Sequence, residues 1–241
     1  MRYYKLLKSL VGLACLASVF TACQKEYNPD LGTTPTTIPT QSATDYFPTT
    51  TNSYWSYTLD ITGDTVLLSV SPNNATINGV SYKVFQASDT TGVLSSSYYR
   101  KDNNGLYYEY GDIDYAGVLD SVGEDIDYIF LKDNVALNTS WETPEVNAKY
   151  NGATGKAKAK LTITGKDIQQ TINGATVDSV IKVTRETMFK STSASSYSTV
   201  ASSSINTYFA RNKGLLLLEG TLPPPLPAVP FKLEAKRYKI Y

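Results

Sequence analysis

From Trp55 to the end of the chain, apolar residues recur at every second position, in short runs interrupted by Gly, Asn and Asp. Successive side chains on a strand point to opposite faces, so this period marks half-buried strands. Tyr, Val, Ile and Thr fill the runs, and these residues suit a pleated surface. The predicted strands are Tyr54–Ile61, Thr65–Val70, Val80–Ala87, Ser97–Lys101, Leu106–Tyr110, Tyr128–Lys132, Lys156–Gln169, Thr176–Thr187, Ile205–Arg211, Leu215–Glu219 and Phe231–Ile240. Asn78-Gly79, Asn104-Gly105 and Asn173-Gly174 lie between strands and supply the positive φ that tight hairpins need. Hardly any stretch has a sustained 3.6-residue period, which argues against parallel βαβ units. The expected fold is all-β: an antiparallel meander forming a curved sheet or a partly open barrel or sandwich.

Three anchors recur in one order. Asn52-Ser53-Tyr54-Trp55 is echoed by Asn138-Thr139-Ser140-Trp141, and Thr76-Ile77-Asn78-Gly79 by Thr171-Ile172-Asn173-Gly174. Tyr98-Tyr99-Arg100, then Gly105-Leu106, is echoed by Tyr208-Phe209-Ala210-Arg211, then Gly214-Leu215. An internal duplication with halves near 50–111 and 136–220 is the expectation.

The N-terminus has a different character. Arg2, Lys5 and Lys8 precede an uncharged, mostly apolar run from Leu10 to Phe20, and the small pair Thr21-Ala22 leads into Cys23. As a helix that run rises about 16 Å, too short for a hydrocarbon core of about 30 Å. Residues 1–22 therefore read as a signal peptide. Phe20-Thr21-Ala22-Cys23 resembles the lipobox of bacterial lipoproteins, which implies cleavage before Cys23 and acylation of its sulfur and its amine. Cys15, mid-way through the apolar run, fits that pattern poorly. Gln24-Lys25-Glu26 resembles part of the surface-export tag of Bacteroidota lipoproteins. The following Thr- and Pro-rich tract is too poor in apolar groups to offset ordering entropy, so residues 23–45 read as a lipidated cysteine and tether.

Residues 46–241 remain for a single all-β domain. From Tyr46-Phe47-Pro48 on, its Trp, hairpin and aromatic-Gly-Leu pattern resembles Bacteroidota lipoproteins with all-β domains. That resemblance implies an outer-membrane, lipid-anchored protein, exposed at the surface or facing the periplasm, and brings no catalytic residues with it. Two segments interrupt the strands: the Ser-rich stretch 191–204 and the Pro-rich stretch 222–230, which lacks the N–H groups of a central strand.

Several chemistries are excluded or weakened. Without Arg2, Lys5 and Lys8 the mature chain has 19 basic against 22 acidic residues, the wrong sign for nucleic acid. Lys156, Lys158 and Lys160 alternate along one strand face and read as solvated. The chain has no histidine, which removes His-based triads and imidazole metal sites. Ser179 and Lys182 match a Ser-x-x-Lys pattern, but positions three apart on a strand point to opposite faces. An EF-hand alignment from Asp112 puts Gly117 at its sixth position but Gly123 where the bidentate acid belongs. Asp112 with Asp114, or Asp125 with Asp127, have nothing that fixes a glycosidase carboxylate separation. No catalytic residue, metal site or cofactor is predicted.

The aromatic hairpin around Asn104-Gly105 is the one candidate surface. As a two-residue turn it sets Arg100 opposite Glu109 and Tyr99 opposite Tyr110. Leu106, Tyr108, Tyr110 and Tyr99 then face the core, while Tyr98, Arg100, Tyr107 and Glu109 face solvent. Tyr98 and Tyr107 are the predicted ligand-binding residues, able to stack on a sugar ring or a partner side chain. The expected function is a non-catalytic binding or structural module of the envelope with a protein or glycan partner; the alternative is a surface glycan hydrolase using carboxylates alone.

Overall fold

The computed structural model describes residues 45–89, 92–114, 117–201, 203–221 and 229–241, and all their regular structure is strand. The signal segment, Cys23 and the tether to residue 44 lie outside the described residues, as does most of the Pro-rich connector. The first meander holds β1 (Tyr54–Leu59), β2 (Thr65–Ile77), β3 (Val80–Asp89), β4 (Gly92–Lys101), β5 (Leu106–Gly111), the short β6 (Ser121–Val122) and β7 (Ile126–Lys132). The second holds β8 (Ser140–Glu142), β9 (Val146–Tyr150), β10 (Ala153–Ile172), β11 (Ala175–Ser191), β12 (Ser198–Thr199), β13 (Ile205–Ala210), β14 (Gly214–Thr221) and β15 (Pro230–Lys239).

Alternation sets the faces. In β1, Trp55, Tyr57 and Leu59 are buried, while Tyr54, Ser56 and Thr58 are half-buried. The predicted strands are all present, but β6, β8, β9 and β12 were not expected. Val146-Asn147-Ala148-Lys149-Tyr150 does alternate, and Pro144 just before it obscures the signal.

Pairing runs β1-β2-β3-β4-β5-β7 in the first meander and β8-β10-β11-β13-β14-β15 in the second, with β15 joined to β1. Strand β9 extends β10 and pairs β6, while β12 pairs β11. The antiparallel ladder does not close into a barrel. Its two ends are β6 and β7, yet only residues 123–125 separate them in sequence. That short link brings the ends of the sheet together and makes it curl. Near the gap the Trp141 indole donates to the Ile129 carbonyl on β7 at 2.8 Å, a side-chain bond between the two meanders.

The recurring anchors sit at corresponding places. Asn52 (φ 70°) and Asn138 (φ 67°) each open the first strand of a meander. The Asn52 N–H donates to Val70 O and Val70 N–H returns a bond to Ser53 O; Asn138 N–H donates to Ile163 O and Ile163 N–H to Thr139 O. Trp55 faces Leu68 on β2, and Trp141 faces Leu161 on β10. In the turns closing β4–β5 and β13–β14, Gly105 and Gly214 both have positive φ. A Cβ at Gly105 would collide with Asp133, and one at Gly214 would sit 2.9 Å from the Trp55 ring, so only glycine fits either place.

Inside the curl, Phe47 fixes the core. Its ring centroid lies 5.1 Å from Phe85, 4.8 Å from Tyr99, 5.1 Å from Phe130 and 6.2 Å from Phe209, so it touches both meanders. Asp45 and Tyr46 hold it there. The Asp45 carbonyl accepts the Asn212 N–H, and the Tyr46 N–H donates to the Tyr107 hydroxyl at 3.0 Å. Asp45, the last residue of the segment read as a tether, and Tyr46-Phe47, the first of the domain, thus form a strap across one end of the core.

The long hairpins diverge. The β2–β3 turn, Asn78-Gly79, has the expected positive φ at both residues, and Val80 beside it is 37 % exposed. The β10–β11 turn, Asn173-Gly174, has the same geometry but a different fate. Register shifts at Gly165 and Ile168, with positive φ at Asp167 and Ser179, bend that longer hairpin. Its end folds back onto β15, where the Asn173 N–H donates to Glu234 Oε1 at 2.7 Å.

Candidate functional site

The β4–β5 hairpin does not have the predicted register. Tyr98 pairs with Tyr110, Tyr99 with Glu109, Arg100 with Tyr108 and Lys101 with Tyr107. The cause is Asp102, whose carboxylate accepts the N–H groups of Asn104 and Leu106, both at 2.9 Å. Asp102 N–H also bonds Leu106 O, so Asp102 lies opposite Leu106 and the loop between them holds three residues rather than two. A one-residue slip reverses every face. Tyr107 and Glu109 therefore point into the core, and Tyr108 and Tyr110 point out.

This separates the predicted pair. Tyr107 is 1 % exposed, donates its hydroxyl to Asp133 Oδ2 at 2.8 Å, and burial pushes its pKa upward. Glu109 is buried beside it on the inner face. It accepts the Tyr99 hydroxyl at 3.3 Å and the Tyr128 hydroxyl at 2.6 Å. Arg185 extends the network from the second meander, donating to the Tyr128 hydroxyl and to Ile113 O. Hydrogen bonds thus join Tyr99, Glu109, Tyr128 and Arg185 across the two meanders. The cavity next to them, between Phe47, Phe130, Arg185 and Phe209, measures about 30 Å³, room for a water but not for a substrate.

Tyr98 remains on the outer face, in company the two-residue turn did not foresee. Across β3, β4, β5 and β7 the register lines up Val84, Tyr98, Tyr110 and Asp127 in one row. The next row holds Arg100, Tyr108 and Ile129, with the Tyr82 ring 5.8 Å from the Arg100 guanidinium. Arg100 crosses β5 to pair with Asp127, and its guanidinium lies 3.5 Å from the Tyr108 ring centroid. Both members of the pair are partly open, with side chains 25 % and 32 % exposed. Burial works against the Arg100 charge, but the bonds to Asp127 and Tyr82 outweigh it and hold its pKa above the usual value. Arg100 Nε and Asp127 Oδ1 have no hydrogen-bond partner among the described residues. Tyr98 is half-buried, with no hydrogen bond or ring contact among the described residues.

The second meander offers the corresponding row: Lys182, Tyr208, Leu217 and Glu234 across β11, β13, β14 and β15. It is covered. Asn173 at the hairpin end bonds Glu234 and the Lys236 carbonyl, and Ile172, Val177, Tyr208 and Leu217 are all buried. Tyr208 donates its hydroxyl to Glu219.

The acidic residues singled out in the sequence have structural partners. Asp114 is buried and accepts the N–H groups of Val118 at 3.1 Å and Leu119 at 2.7 Å. Burial pushes its carboxyl up to about 7; the Leu119 bond opposes this and Asp112 adds to it. Asp120 accepts the Gly152 N–H, and Asp127 is held by Arg100. No group of three or more His, Cys, Asp or Glu among the described residues is placed to hold a metal ion. Ser179 adopts φ 54° in an irregular part of β11, and Lys158 pairs with Glu142 at 2.5 Å.

No family model matches the chain, and no curated protein does. Two solved structures are similar to it. One is a candidate lipoprotein of Parabacteroides distasonis, 14 % identical, with a TM-score of 0.48 over 83 % of this chain and 100 % of that one. The other is a candidate exported protein of Bacteroides fragilis with a YmcC-like fold, 11 % identical, with a TM-score of 0.47 over 81 % of this chain and 99 % of that one.

Proposed function

We propose that the chain is a lipid-anchored protein of the outer membrane, held by acyl chains on Cys23, that works by binding rather than by catalysis. The binding face is the outer surface of β3–β4–β5–β7. One observation carries this reading: Tyr98 and Tyr110 on the first meander are only half-buried, whereas Tyr208 and Leu217, at the corresponding places on the second, are buried beside the docked end of the chain's own hairpin. Tyrosine rings left partly open to solvent on one sheet face make a candidate contact surface. The carboxylates give no support to the hydrolase alternative, since Asp114, Asp127 and Glu109 already hold backbone N–H groups, a guanidinium and two tyrosine hydroxyls.

The anchor and the binding face are tested separately. Cys23→Ala should abolish acyl labelling of the expressed protein, and continued labelling would contradict the anchor. For the face, immobilised wild-type protein and a Tyr98→Ala, Arg100→Ala variant are compared for retention of envelope proteins and glycans, with circular dichroism to verify folding. Retention by the wild type that the folded variant loses is the expected result. Equal retention by both, or release of products from a glycan panel, would overturn the reading.

A further inference from the structure

We infer that the ligand of this face is a neutral saccharide, bound with a sugar ring on Tyr98 and hydroxyls at the Arg100–Asp127 pair. The inference rests on the proposed binding face and names the chemistry of its occupant.

Three observations restrict that chemistry. The first is charge. Arg100 and Asp127 cancel one another, and no other charged residue lies in the two rows on β4, β5 and β7. An anionic ligand would have to displace Asp127 from the guanidinium, and a cation would have to displace Arg100. A neutral ligand displaces neither.

The second is the mixture of donors and acceptors. The guanidinium only donates and the carboxylate only accepts. A hydroxyl does both, so two adjacent hydroxyls can take a bond from Arg100 and give one to Asp127. Arg100 Nε and Asp127 Oδ1 are buried, but the side chains of the pair are 25 % and 32 % exposed, and it is this open part of the pair that a ligand's hydroxyls meet.

The third is the kind of ring surface. Tyr98 and Tyr110 lie side by side on adjacent strands, and the Tyr110 ring is 6.0 Å from that of Tyr82. Aromatic faces bearing partial negative charge suit the C–H edge of a sugar, and tyrosines lose little entropy on binding. The second meander shows what the chain uses where cover is permanent. There the row has the aliphatic Leu217 where this one has Tyr110, and Ile172 and Val177 of the hairpin end are buried. Aliphatic surface suits a fixed polypeptide cover. Tyrosines around a fixed ion pair suit a hydroxylated ligand that exchanges with water.

Isothermal titration and NMR line broadening on the mature full-length domain, with neutral β- and α-linked glucan and mannan oligosaccharides, test the inference; polygalacturonate is the anionic control. Binding of a neutral oligosaccharide, weakened about tenfold or more by Tyr98→Ala and unchanged by Tyr238→Ala at an exposed tyrosine elsewhere, is the expected result. Arg100→Lys should weaken it too, since an ammonium cannot keep the planar contact with Tyr108. Binding of polygalacturonate alone, or neutral binding that Tyr98→Ala leaves intact, would overturn it. A photo-crosslinker at position 98 separates the two levels of failure. Capture of one protein with no saccharide binding would sink the saccharide and leave the binding face standing, whereas no capture and no saccharide binding would remove both.

Discussion

The row Val84–Tyr98–Tyr110–Asp127 in the first meander and the row Lys182–Tyr208–Leu217–Glu234 in the second occupy the same place in two similar strand orders. Each has a tyrosine on its fourth-strand position and an acid on its last. They differ in what lies above them. The second row is sealed by the β10–β11 hairpin, whose strands run to 20 and 17 residues and bend at Gly165 and Ile168. The hairpin over the first row, β2–β3, has 13 and 10 residues and stops short, with Val80 exposed at its turn. The Thr-Ile-Asn-Gly turn is the same in both. The β2–β3 hairpin has a register shift of its own, between Val70 and Asn74, so local turn chemistry decides that a hairpin forms, and strand length and the placing of the bulges decide what it covers.

The core that both meanders share should respond most. Phe47→Ala removes the ring that touches Phe85, Tyr99, Phe130 and Phe209, and should lower stability in urea by about 4 kcal/mol. A cost below about 1 kcal/mol would show that the strap is not part of the core.

The buried Asp114 carboxyl should be visible in pH dependence. The folded-state pKa of Asp114 is raised from 3.8 to about 7. Stability from its protonated form is complete below about pH 4 and is lost as pH rises through 7, by up to about 1.4 kcal/mol per pH unit. Asp114→Asn should therefore gain on the wild type as pH rises from 4 to 7, read as the difference between their urea midpoints. A difference that is flat over this window, or that shrinks, would contradict the buried carboxyl.

The two tyrosines sharpen the comparison directly. Tyr208→Ala, at a side chain 5 % exposed, should cost about 3 kcal/mol, and Tyr98→Ala about 0.5 kcal/mol. Smaller still is the contrast between the turns. Asn173→Ala loses its bond to the Lys236 carbonyl and should cost about 1 kcal/mol more than Asn78→Ala, which loses only its preference for positive φ. Equal costs would mean that the hairpin end does not dock.

The all-β character, the principal strands and the Trp anchors were legible in the sequence, because period-two alternation and Asn-Gly turns are local signals. The β4–β5 register was not. It depends on the Asp102 side chain capping two N–H groups, and that choice between a two- and a three-residue loop leaves alternation unchanged. Tyr98 was placed correctly on the outer face, while Tyr107 was exchanged for Tyr108 and Tyr110 by a slip of one residue. Asp127 came into the site from a strand two places away in the sheet, and no spacing along the chain links it to Arg100. Length was the one readable hint of the covered face, since the second Thr-Ile-Asn-Gly hairpin has the longer alternating arms.

Tyrosine nitration of the folded mature protein, followed residue by residue by mass spectrometry, tests the central contrast most directly. Tyr98 should be modified well before Tyr208, and a bound neutral oligosaccharide should slow Tyr98 while leaving Tyr54, on another part of the sheet, unchanged. Equal rates at Tyr98 and Tyr208, or faster modification of Tyr208, would contradict the account.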